Sequence, residues 1–439
     1  MTDGTVKDIE DEIPFELPEG WAWCHFGDIA TVINGKNQSK VENPNGKYPI
    51  YGSGGIMGRA DYYICPKNCT IIGRKGSINN PIFVEEKFWN VDTAFGLYPS
   101  KNVLPKHLFY FCKYFDFTKL DSSTTLPSLT KTNIQRILFP LPPLTEQERI
   151  VSEIENTFAK IDILEQNQAV LQTSIKQAKS KILDLAIHGK LVAQDPNDEP
   201  ASVLLEKLRA EKEAKIKSGE LKRDKNDSYI YKSATDNCHY QRFADGTEEP
   251  LEITNEIPQN WTWCSLGEIS TKLKRGKSPT YTEKSSIMAF AQKCNQKEGP
   301  TTLEKALYID ESTLKKYSEE EKMQFNDIVI NSTGTGTLGR VGIFNCKIPD
   351  DVVAVYPDSH VSSVRINPSL FAKYFYYFVK NKQNYLEEMG EGSTNQKELK
   401  IDTIANLIVP LPPLAEQKRI VEKIDNAFAK LDFIAEQLA

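Results

Sequence analysis

The stretch PLPPLTEQERIV, residues 140–151, occurs twice in this chain and decides its fold: it returns at residues 410–421 as PLPPLAEQKRIV. The likeness continues beyond it, because Ile154, Phe158 and Asp162 have counterparts in Ile424, Phe428 and Asp432. A repeat period of 270 positions is far too long for a solenoid. The pattern therefore predicts two copies of a domain, each followed by a helix.

A second repeated stretch opens each copy. PEGWAWCHFGDI at residues 18–29 corresponds to PQNWTWCSLGEI at residues 258–269, so the offset here is 240 and the second copy is 30 residues longer between its two signatures. Similar ends with a divergent middle suit one scaffold that carries two different binding surfaces.

Between the signatures the sequence has the pattern of short strands. Apolar or alternating runs bounded by Gly, Asn and Pro occur at residues 70–73, 82–84 and 93–98, and again at 327–330, 340–344 and 361–366. An aromatic helix candidate follows in each copy, at residues 107–112 and 370–375. These runs predict a small α+β domain with a mixed or antiparallel sheet.

After Pro143 the apolar period becomes helical, and Gly189 ends the run. A helix of about 43 residues at ~1.5 Å each would span roughly 65 Å, so it needs a partner outside its own small domain. The obvious partner is the second copy of the helix, which stops about 20 residues short of equal length. On that basis Leu171, Ile175, Ala178 and Ile182 are expected to be exposed or buried against another subunit. A heptad frame gives the predicted helix-packing residues as Gln147, Ile150, Ile154, Ile161, Leu164, Gln417, Ile420, Ile424 and Leu431.

Residues 191–256 form a connector. A turn at residues 195–200 leads into a highly charged helix candidate over 202–217, whose lysines are read as a solvated face. The polar tract 222–249 predicts a mobile linker.

Composition indicates an ordinary cytoplasmic protein, with 39% apolar and 26% charged residues and no apolar run long enough to span a membrane. The eight scattered cysteines predict reduced thiols rather than a metal site. The net charge of −6 argues against nucleic acid at first. However, residues 20–139 hold 14 Lys and Arg against 8 Asp and Glu, so a local basic face remains open.

No pattern in the sequence points to catalysis. The Gly-rich stretch GTGTLG at 334–339 lacks the following helix that a dinucleotide fingerprint requires, because residues 340–344 have the pattern of a strand. There is no P-loop, no Asn-Pro-Pro-aromatic loop for amine methylation, and no metal-binding histidine spacing. We therefore expect no catalytic residue, metal or cofactor on this chain.

With catalysis set aside, the sequence favours recognition of DNA. Each copy combines Gly with side-chain hydrogen-bond donors that could approach a groove of the duplex. The candidate DNA-binding residues are Lys36, Asn37, Lys40, Arg59, Arg74 and Lys75 in the first copy, and Lys274, Arg275, Lys277, Thr335, Thr337, Arg340, Asn395 and Gln396 in the second.

Taken together, the two helix signatures, the two Trp-x-Trp-Cys openings and the connector IHGKLV at 187–192 resemble the specificity subunits of type I restriction–modification enzymes. The resemblance implies target-recognition domains at 1–139 and 257–409, spacer helices at 140–190 and 410–439 that run antiparallel, and a connector at 191–256. It further implies a split DNA site. Two methyltransferase subunits would use S-adenosylmethionine to methylate adenine N6, and restriction subunits would use ATP and Mg.

Two other interpretations stay open. A solitary DNA methyltransferase or nuclease would bind S-adenosylmethionine by itself. A purely structural coiled-coil adaptor would show no sequence-dependent affinity for DNA.

Overall fold

The computed structural model describes residues 13–120, 128–223, 227–253, 255–297, 299–334, 336–392 and 397–438. The chain divides into two compact units, residues 1–167 (unit one) and 168–439 (unit two). The division falls within a single continuous helix. The five domain boundaries expected from the sequence remain a prediction.

Unit one is an α+β domain followed by the first part of a long helix. A short 3-10 helix covers Phe117–Leu120, and the other elements are β1 (Ala22–His25), α1 (Phe26–Ile29), β2 (Ala30–Asn34), β3 (Tyr48–Gly52), β4 (Gly55–Ala60), β5 (Cys69–Gly73), β6 (Ile82–Val84), β7 (Trp89–Asn90), β8 (Ala94–Pro99), α2 (Pro105–Tyr114), α3 (Lys131–Gln135), β9 (Leu138–Leu141) and α4 (Leu144–Ile187).

Two sheets and the two-stranded pair β1-β9 build this domain. Strands β2-β8-β5-β6 form an antiparallel sheet, and β4-β3-β7 form a second sheet in which β3 and β7 are parallel. Every residue of β5 is buried, so this strand lies at the centre of the domain. The main core packs β2, β5 and β8 with α1, α2 and the 3-10 helix through side chains that include Phe26, Phe95, Phe117 and Phe139.

Unit two begins at residue 168 within α4 and repeats this plan after the connector. Its elements are α5 (Ala201–Ser218), β10 (Ser228–Lys232), β11 (His239–Phe243), β12 (Glu248–Leu251), β13 (Thr262–Ser265), β14 (Ser270–Arg275), β15 (Tyr281–Thr282), β16 (Ile287–Phe290), β17 (Leu307–Ile309), β18 (Ile328–Asn331), β19 (Val341–Ile343), β20 (Ala354–Pro357), β21 (Val361–Ile366), α6 (Ala372–Asn381), α7 (Gln383–Glu388), α8 (Ile401–Ala405), β22 (Ile408–Leu411) and α9 (Leu414–Glu436).

The main sheet of the second domain has the strand order of the first, and its second sheet, β15-β17-β16-β20, has one strand more than β4-β3-β7. Strands β14-β21-β18-β19 correspond to β2-β8-β5-β6, and β16 pairs parallel with β20 as β3 does with β7. The prediction of two similar α+β domains with mixed sheets is confirmed. The extra length of the second copy lies mainly between strands: residues 291–306 connect β16 to β17, where the first copy needs only residues 53–54 between β3 and β4.

The two repeated signatures are adjacent in space within each domain, because its first strand pairs with its last. β1 pairs with β9 in the register Ala22↔Leu141, and β13 pairs with β22 in the equivalent register Thr262↔Leu411. The indole Nε1 of Trp21 donates to Glu146 at 3.0 Å, and that of Trp261 donates to Glu416 at 2.9 Å. Both signatures are therefore parts of one junction between a domain and its helix.

The two signature glutamines also belong to this junction. Gln147 Oε1 accepts a hydrogen bond from the backbone N of Leu104 at 2.9 Å, and its Nε2 donates to the carbonyls of Asn102 and Pro142. Gln417 Oε1 likewise accepts from the backbone N of Phe371 at 3.0 Å. The sequence predicted helix-to-helix packing for these residues. The structure instead uses them to attach each helix to the loop before α2 or α6.

Within unit two, α9 lies antiparallel to the C-terminal half of α4. Gln168 donates to the carbonyl of Leu438, Lys179 forms an ion pair with Asp432, and Ile420 and Ile424 share a core with Leu183, Ala186 and Ile187 of α4. The antiparallel direction implied by the resemblance is therefore present here.

This pairing corrects the expectation about exposed helix residues. Ile175 is buried at 7% exposure and Ile182 packs against the core, although both were expected to lack a partner. Ile161 and Leu164, which were expected to pack, are 42% and 66% exposed. The expectation failed for Ile175 and Ile182 because it matched the two helices end for end in the same direction, whereas antiparallel pairing brings the start of α9 to the end of α4. Leu171 is 39% exposed, as expected.

The prediction of a mobile linker over residues 222–249 is also wrong. Residues 228–251 fold into the antiparallel meander β10-β11-β12. Ile230 and Gln241 are buried, and Gln241 donates to Asn406 Oδ1 at 3.2 Å, so the meander is packed on the second domain. The charged helix was predicted correctly as α5, and Arg209 on it donates to the carbonyl of Ile230.

All eight cysteines are free thiols. Among the described residues, no helix combines the length and apolarity that crossing a membrane requires.

Candidate nucleic-acid interface

One end of the antiparallel sheet in unit one gathers three loops. β2 ends at Asn34, β5 ends at Gly73 and β8 starts at Ala94, so their connections meet at the same edge. The backbone N of Gly35 donates to the carbonyl of Ala94 at 3.2 Å, and that of Arg74 donates to the carbonyl of Thr93 at 2.8 Å. We call residues 35–37, 74–77 and 89–93 the loop end of unit one.

Tight backbone contact at Gly35 holds this edge together. A Cβ atom at this position would lie 1.7 Å from the carbonyl oxygen of Val91, so only glycine fits. The buried Trp89 donates from Nε1 to the carbonyl of Lys36 at 2.9 Å, and the backbone N of Lys36 donates to Asn90 at 3.0 Å. The backbone that carries Lys36 is thereby fixed against the segment 89–93.

Three of the predicted cations lie at this loop end with their charges available. Lys36, Arg74 and Lys75 are exposed, and none forms an ion pair with a residue that the structure describes. The Arg74 guanidinium lies 5.7 Å from the centroid of the Phe95 ring, which orients it without neutralising it. Asn37 is exposed beside them and its Oδ1 accepts from the backbone N of Ser39 in an Asx turn.

The structure places two other candidates of the first copy elsewhere. Arg59 lies on β4 and donates hydrogen bonds to the carbonyls of Gly46 and Lys47, at 2.6 and 2.8 Å. Its guanidinium therefore stabilises the loop before β3. Lys40 is exposed on the segment that leads from the loop end towards Ala60, where Glu42 forms a β-bridge.

Unit two has an equivalent edge. The backbone N of Gly276 donates to the carbonyl of Val361 at 2.9 Å, as Gly35 does to Ala94, and a Cβ at Gly276 would lie 2.1 Å from the carbonyl oxygen of Pro357. Lys274, Arg275 and Lys277 stand at the end of β14, and Thr337 and Arg340 lie in the connection from β18 to β19. Thr335, Asn395 and Gln396 lie outside the described residues.

The charges at this second edge are largely paired within the protein. Arg275 forms an ion pair with Glu398, and Lys277 binds Glu321 at 2.8 Å. Arg340 donates to the carbonyl of Asn295 at 2.9 Å, and Thr337 donates to Gln292 Oε1 at 3.0 Å. Of the predicted set only Lys274 is exposed with no ion pair to a described residue.

A buried charge network fixes the strand that bears Lys274 and Arg275. Asp327 accepts from Lys272 Nζ at 3.1 Å and from Arg365 Nε and Nη2 at 2.8 Å each, so it joins β14 and β21 to the start of β18. Burial lowers the pKa of the Lys272 ammonium, and the neighbouring Asp327 carboxylate opposes that shift. This network is structural, because Asp327 and Lys272 at its centre are nearly inaccessible to solvent.

The described part of the Gly-rich stretch, Gly334 and residues 336–339, lies between β18 and β19. Residues 336–339 lead into β19, which pairs antiparallel with β18, so the strand predicted to follow the Gly-rich stretch is confirmed. Gly334, Gly336 and Gly339 have positive φ, which only glycine adopts easily.

Sequence reasoning missed the residues that hold this loop. Asn295 Nδ2 donates to Asn331 Oδ1 at 3.1 Å and to the carbonyl of Arg340 at 3.0 Å. Both asparagines are fully buried. No local signal could have found them, because the two side chains meet across 36 positions of sequence.

Comparison with known proteins identifies the family. The profile described as "Type I restriction modification DNA specificity domain" matches residues 18–173 and 258–439, which covers both copies and most of the chain. The chain belongs to this family. The expected family relationship and the two-domain α+β fold are thus both confirmed.

Relatives of known function match over nearly the whole chain. The type I restriction enzyme EcoEI specificity subunit of Escherichia coli is 23% identical, and the match covers 98% of this chain and 81% of that protein. The EcoAI specificity subunit, also of Escherichia coli, is 24% identical over 95% of this chain and 79% of its own. The MjaVIII specificity subunit of Methanocaldococcus jannaschii is 23% identical, covering 93% and 86%.

Solved structures agree on the fold of this specificity-domain protein. The HsdS subunit from Thermoanaerobacter tengcongensis superposes with a TM-score of 0.56 at 17% identity, covering 97% of this chain and 93% of that one. A chain from a study of complex assembly and conformational transition of the type I R-M system gives a TM-score of 0.60 at 17% identity, covering 97% and 94%.

Proposed function

We propose that this chain is the DNA-recognition subunit of a type I restriction–modification complex, and that each domain reads one part of a split, asymmetric site. The observation that carries the proposal is the duplicated sheet edge. The same strand order and the same glycine contact (Gly35, Gly276) present loops of different sequence in the two domains.

The two edges differ in a way that suits two different half-sites. Unit one offers exposed cations that are free to contact phosphates or guanine. Unit two has most of its donors bound internally and its loops held by buried asparagines. Similar scaffolds with unlike surfaces suit an asymmetric target.

The chemistry belongs to partner subunits in this proposal. Two methyltransferase subunits would bind S-adenosylmethionine and methylate adenine N6, and restriction subunits would use ATP and Mg to translocate and cleave DNA. The chain itself would be non-catalytic, which agrees with its membership in a family of DNA specificity domains.

Sequencing of methylated DNA tests the proposal most directly. The chain is expressed with its cognate methyltransferase in a host without N6-adenine methylation, and modified positions are mapped. We expect one motif made of two defined parts separated by a fixed number of undefined bases.

A loop variant then assigns the two halves. Arg74→Ala with Lys75→Ala alters unit one only. We therefore expect reduced methylation, or a relaxed base preference in one half of the motif, and an unchanged base preference in the other half. Lys400→Ala serves as the control, because Lys400 is exposed and paired with Glu391 in unit two.

Two results would overturn the proposal. Methylation without any split motif would favour a structural adaptor. Binding of S-adenosylmethionine by the isolated chain, with methyl transfer to DNA, would favour a solitary methyltransferase.

A further inference from the structure

The hairpin between β3 and β4 ends in an apolar tip beside the loop end of unit one. Gly52 pairs with Gly55 and leaves only Ser53 and Gly54 in the turn, which is the tightest kind of hairpin. Ile56 and Met57 follow, at 64% and 61% exposure. Neither the fold nor the residues singled out above accounts for two adjacent exposed apolar side chains here.

Close approaches place this tip next to the cations. A Cβ at Gly73, the residue before Arg74, would lie 3.1 Å from Ser53 Cβ, so the turn lies against the start of the 74–77 loop. The backbone N of Val91 donates to the carbonyl of Tyr51 at 3.0 Å, which joins the same hairpin to the segment 89–93. The hairpin tip and the loop end of unit one therefore form one continuous surface.

The shape of the tip suits a narrow site. Gly54 and Gly55 face open space, since a Cβ on either would meet nothing within 4 Å. A bulge between Ile50 and Tyr51 sets Met57 outside the regular pairing, and its Sδ lies over Gly52. A two-stranded ribbon of this kind fits the major groove of B-DNA, where apolar side chains contact the methyl group of thymine.

We infer that the hairpin tip enters the major groove of the half-site read by unit one, and that Ile56 and Met57 pack against thymine methyl groups there. The exposed cations at the loop end favour a negatively charged partner, and the exposed apolar side chains of the tip suit base edges better than phosphates. The inference rests on the proposed function and names two of its specificity-determining residues, which no base-contact pattern in the sequence had indicated.

The consequence for binding is selective. Affinity for non-specific DNA comes from phosphate contacts, which the tip does not make. Removal of the apolar tip should therefore weaken binding to the cognate site alone. One unfavourable base position costs specific complexes about tenfold in affinity.

The experiment uses the complex of this chain with its methyltransferase and a duplex carrying the motif found by methylation sequencing. The variant is Ile56→Ser with Met57→Ser. We expect about tenfold weaker binding to the cognate duplex and unchanged binding to a scrambled duplex. Tyr62→Ser is the matched control, because Tyr62 is 66% exposed and lies beyond the other end of β4.

Replacing thymines by uracil removes only the methyl groups. At one or more positions of the unit-one half-site, uracil should weaken wild-type binding about fourfold, as expected for one apolar methyl. The hairpin-tip variant should show no further weakening at the same positions. If uracil changes nothing in the wild type, or weakens the variant equally, the inference is wrong.

The outcomes separate this inference from the proposed function. A wild-type complex that binds no split site removes the proposed function and the inference with it. If the wild-type complex and the hairpin-tip variant bind the split site equally tightly, the inference is wrong but the proposed function stands. Equal weakening on cognate and scrambled duplexes also contradicts it, and unchanged scrambled binding shows that the variant is folded.

Discussion

At the scale of single residues, the two copies of the junction differ in how deeply their shared hydrogen bond is buried. The Trp261–Glu416 hydrogen bond is enclosed, and Glu416 also accepts from Gln194 Nε2 at 2.5 Å. Burial raises the pKa of the Glu416 carboxyl, and the hydrogen bonds from Trp261 and Gln194 oppose that shift. The equivalent Glu146 keeps 31% of its side chain exposed. One sequence motif thus operates in two environments.

Truncating these two carboxylates should therefore have unequal effects. Glu416→Ala leaves the buried Nε1 of Trp261 without an acceptor, and we expect a decrease of about 1–3 kcal/mol in the free energy of unfolding. Glu146→Ala should cost less than about 1 kcal/mol, because water can replace the missing acceptor. Urea unfolding of both variants at neutral pH measures the difference. Equal costs would show that burial of the hydrogen bond does not matter.

His107 gives a pH-dependent contribution to stability. It is buried on α2 with its ring edge-on to Phe139 at 5.8 Å, and burial lowers its pKa to about 4. Between the ordinary histidine pKa and that value, the unfolded chain takes up a proton that the folded chain does not. The free energy of unfolding should fall as the pH drops from about 6.5 to 4, by roughly 3 kcal/mol in all from this group.

Comparison with His107→Leu isolates this contribution, because the variant keeps the other titrating groups. Unfolding curves collected from pH 7 to pH 4 should show a shallower decline for the variant. Parallel declines would mean that His107 takes up its proton in the folded state as readily as in the unfolded one.

At the scale of elements, the long helix α4 has two unlike halves. Leu183 and Ile187 are buried in the core of unit two, whereas Phe158, Ile163 and Leu164 are more than half exposed in unit one. The difference follows from where α9 pairs with it. Helix propensity and heptad spacing are similar along the whole run, so packing decides local stability.

Substitutions in the two halves should separate clearly. Leu183→Ala is expected to cost about 2–4 kcal/mol in the free energy of unfolding, as for other buried leucines. Leu164→Ala should cost less than about 0.5 kcal/mol in the isolated chain. Amide hydrogen exchange provides an independent measurement, with slow exchange over residues 175–187 and faster exchange over 156–166. Uniform protection along α4 would contradict this division.

The elements also show what sequence alone could and could not give. Strands such as β5 and β18 and helices such as α2 and α4 were predictable, since their apolar runs are bounded by Gly, Asn or Pro. The meander β10–β12 was not, because its strands are short and strongly polar and bury little beyond Ile230 and Gln241. Helix direction was also missed from the heptads, since a heptad repeat reads similarly for parallel and antiparallel partners.

The candidate site was predictable only in part, for a related reason. Gly and Lys in a loop can be read locally, and Lys36, Arg74 and Lys75 do lie together. Whether a cation is free depends on distant partners: Arg275 meets Glu398 across 123 positions, and no local pattern reveals that pair. Reading of DNA by any of these residues remains a prediction.

At the scale of the whole molecule, the protein is a specificity-domain chain with a negative net charge and a localised group of free cations. Such a group would attract DNA only at short range, because screening limits its field to about 10 Å at 0.1 M salt. Binding by the assembled complex should therefore be strongly salt-dependent, with unit one supplying a measurable share.

The salt dependence can be assigned to named residues. Removing Arg74 and Lys75 together should lower the slope of log affinity against log salt concentration by about 2, one for each phosphate that is no longer neutralised. Lys277→Ala should change the slope little, because Lys277 is already paired with Glu321. Fluorescence anisotropy titrations at several salt concentrations give both slopes. An unchanged slope for the double variant would mean that these two residues do not bind phosphates.

The pairing of the first strand of each domain with its last has an evolutionary consequence. Because β1 joins β9 and β13 joins β22 in one register, the chain enters and leaves each lobe at neighbouring points. Everything between those points can grow, shrink or be exchanged by recombination without disturbing the frame outside. The second domain already accommodates 30 more residues than the first between its two signatures. New DNA-sequence preferences could thus arise by exchange of a whole domain. The Trp–Glu and Gln hydrogen bonds at the junction would stay the same in each exchange.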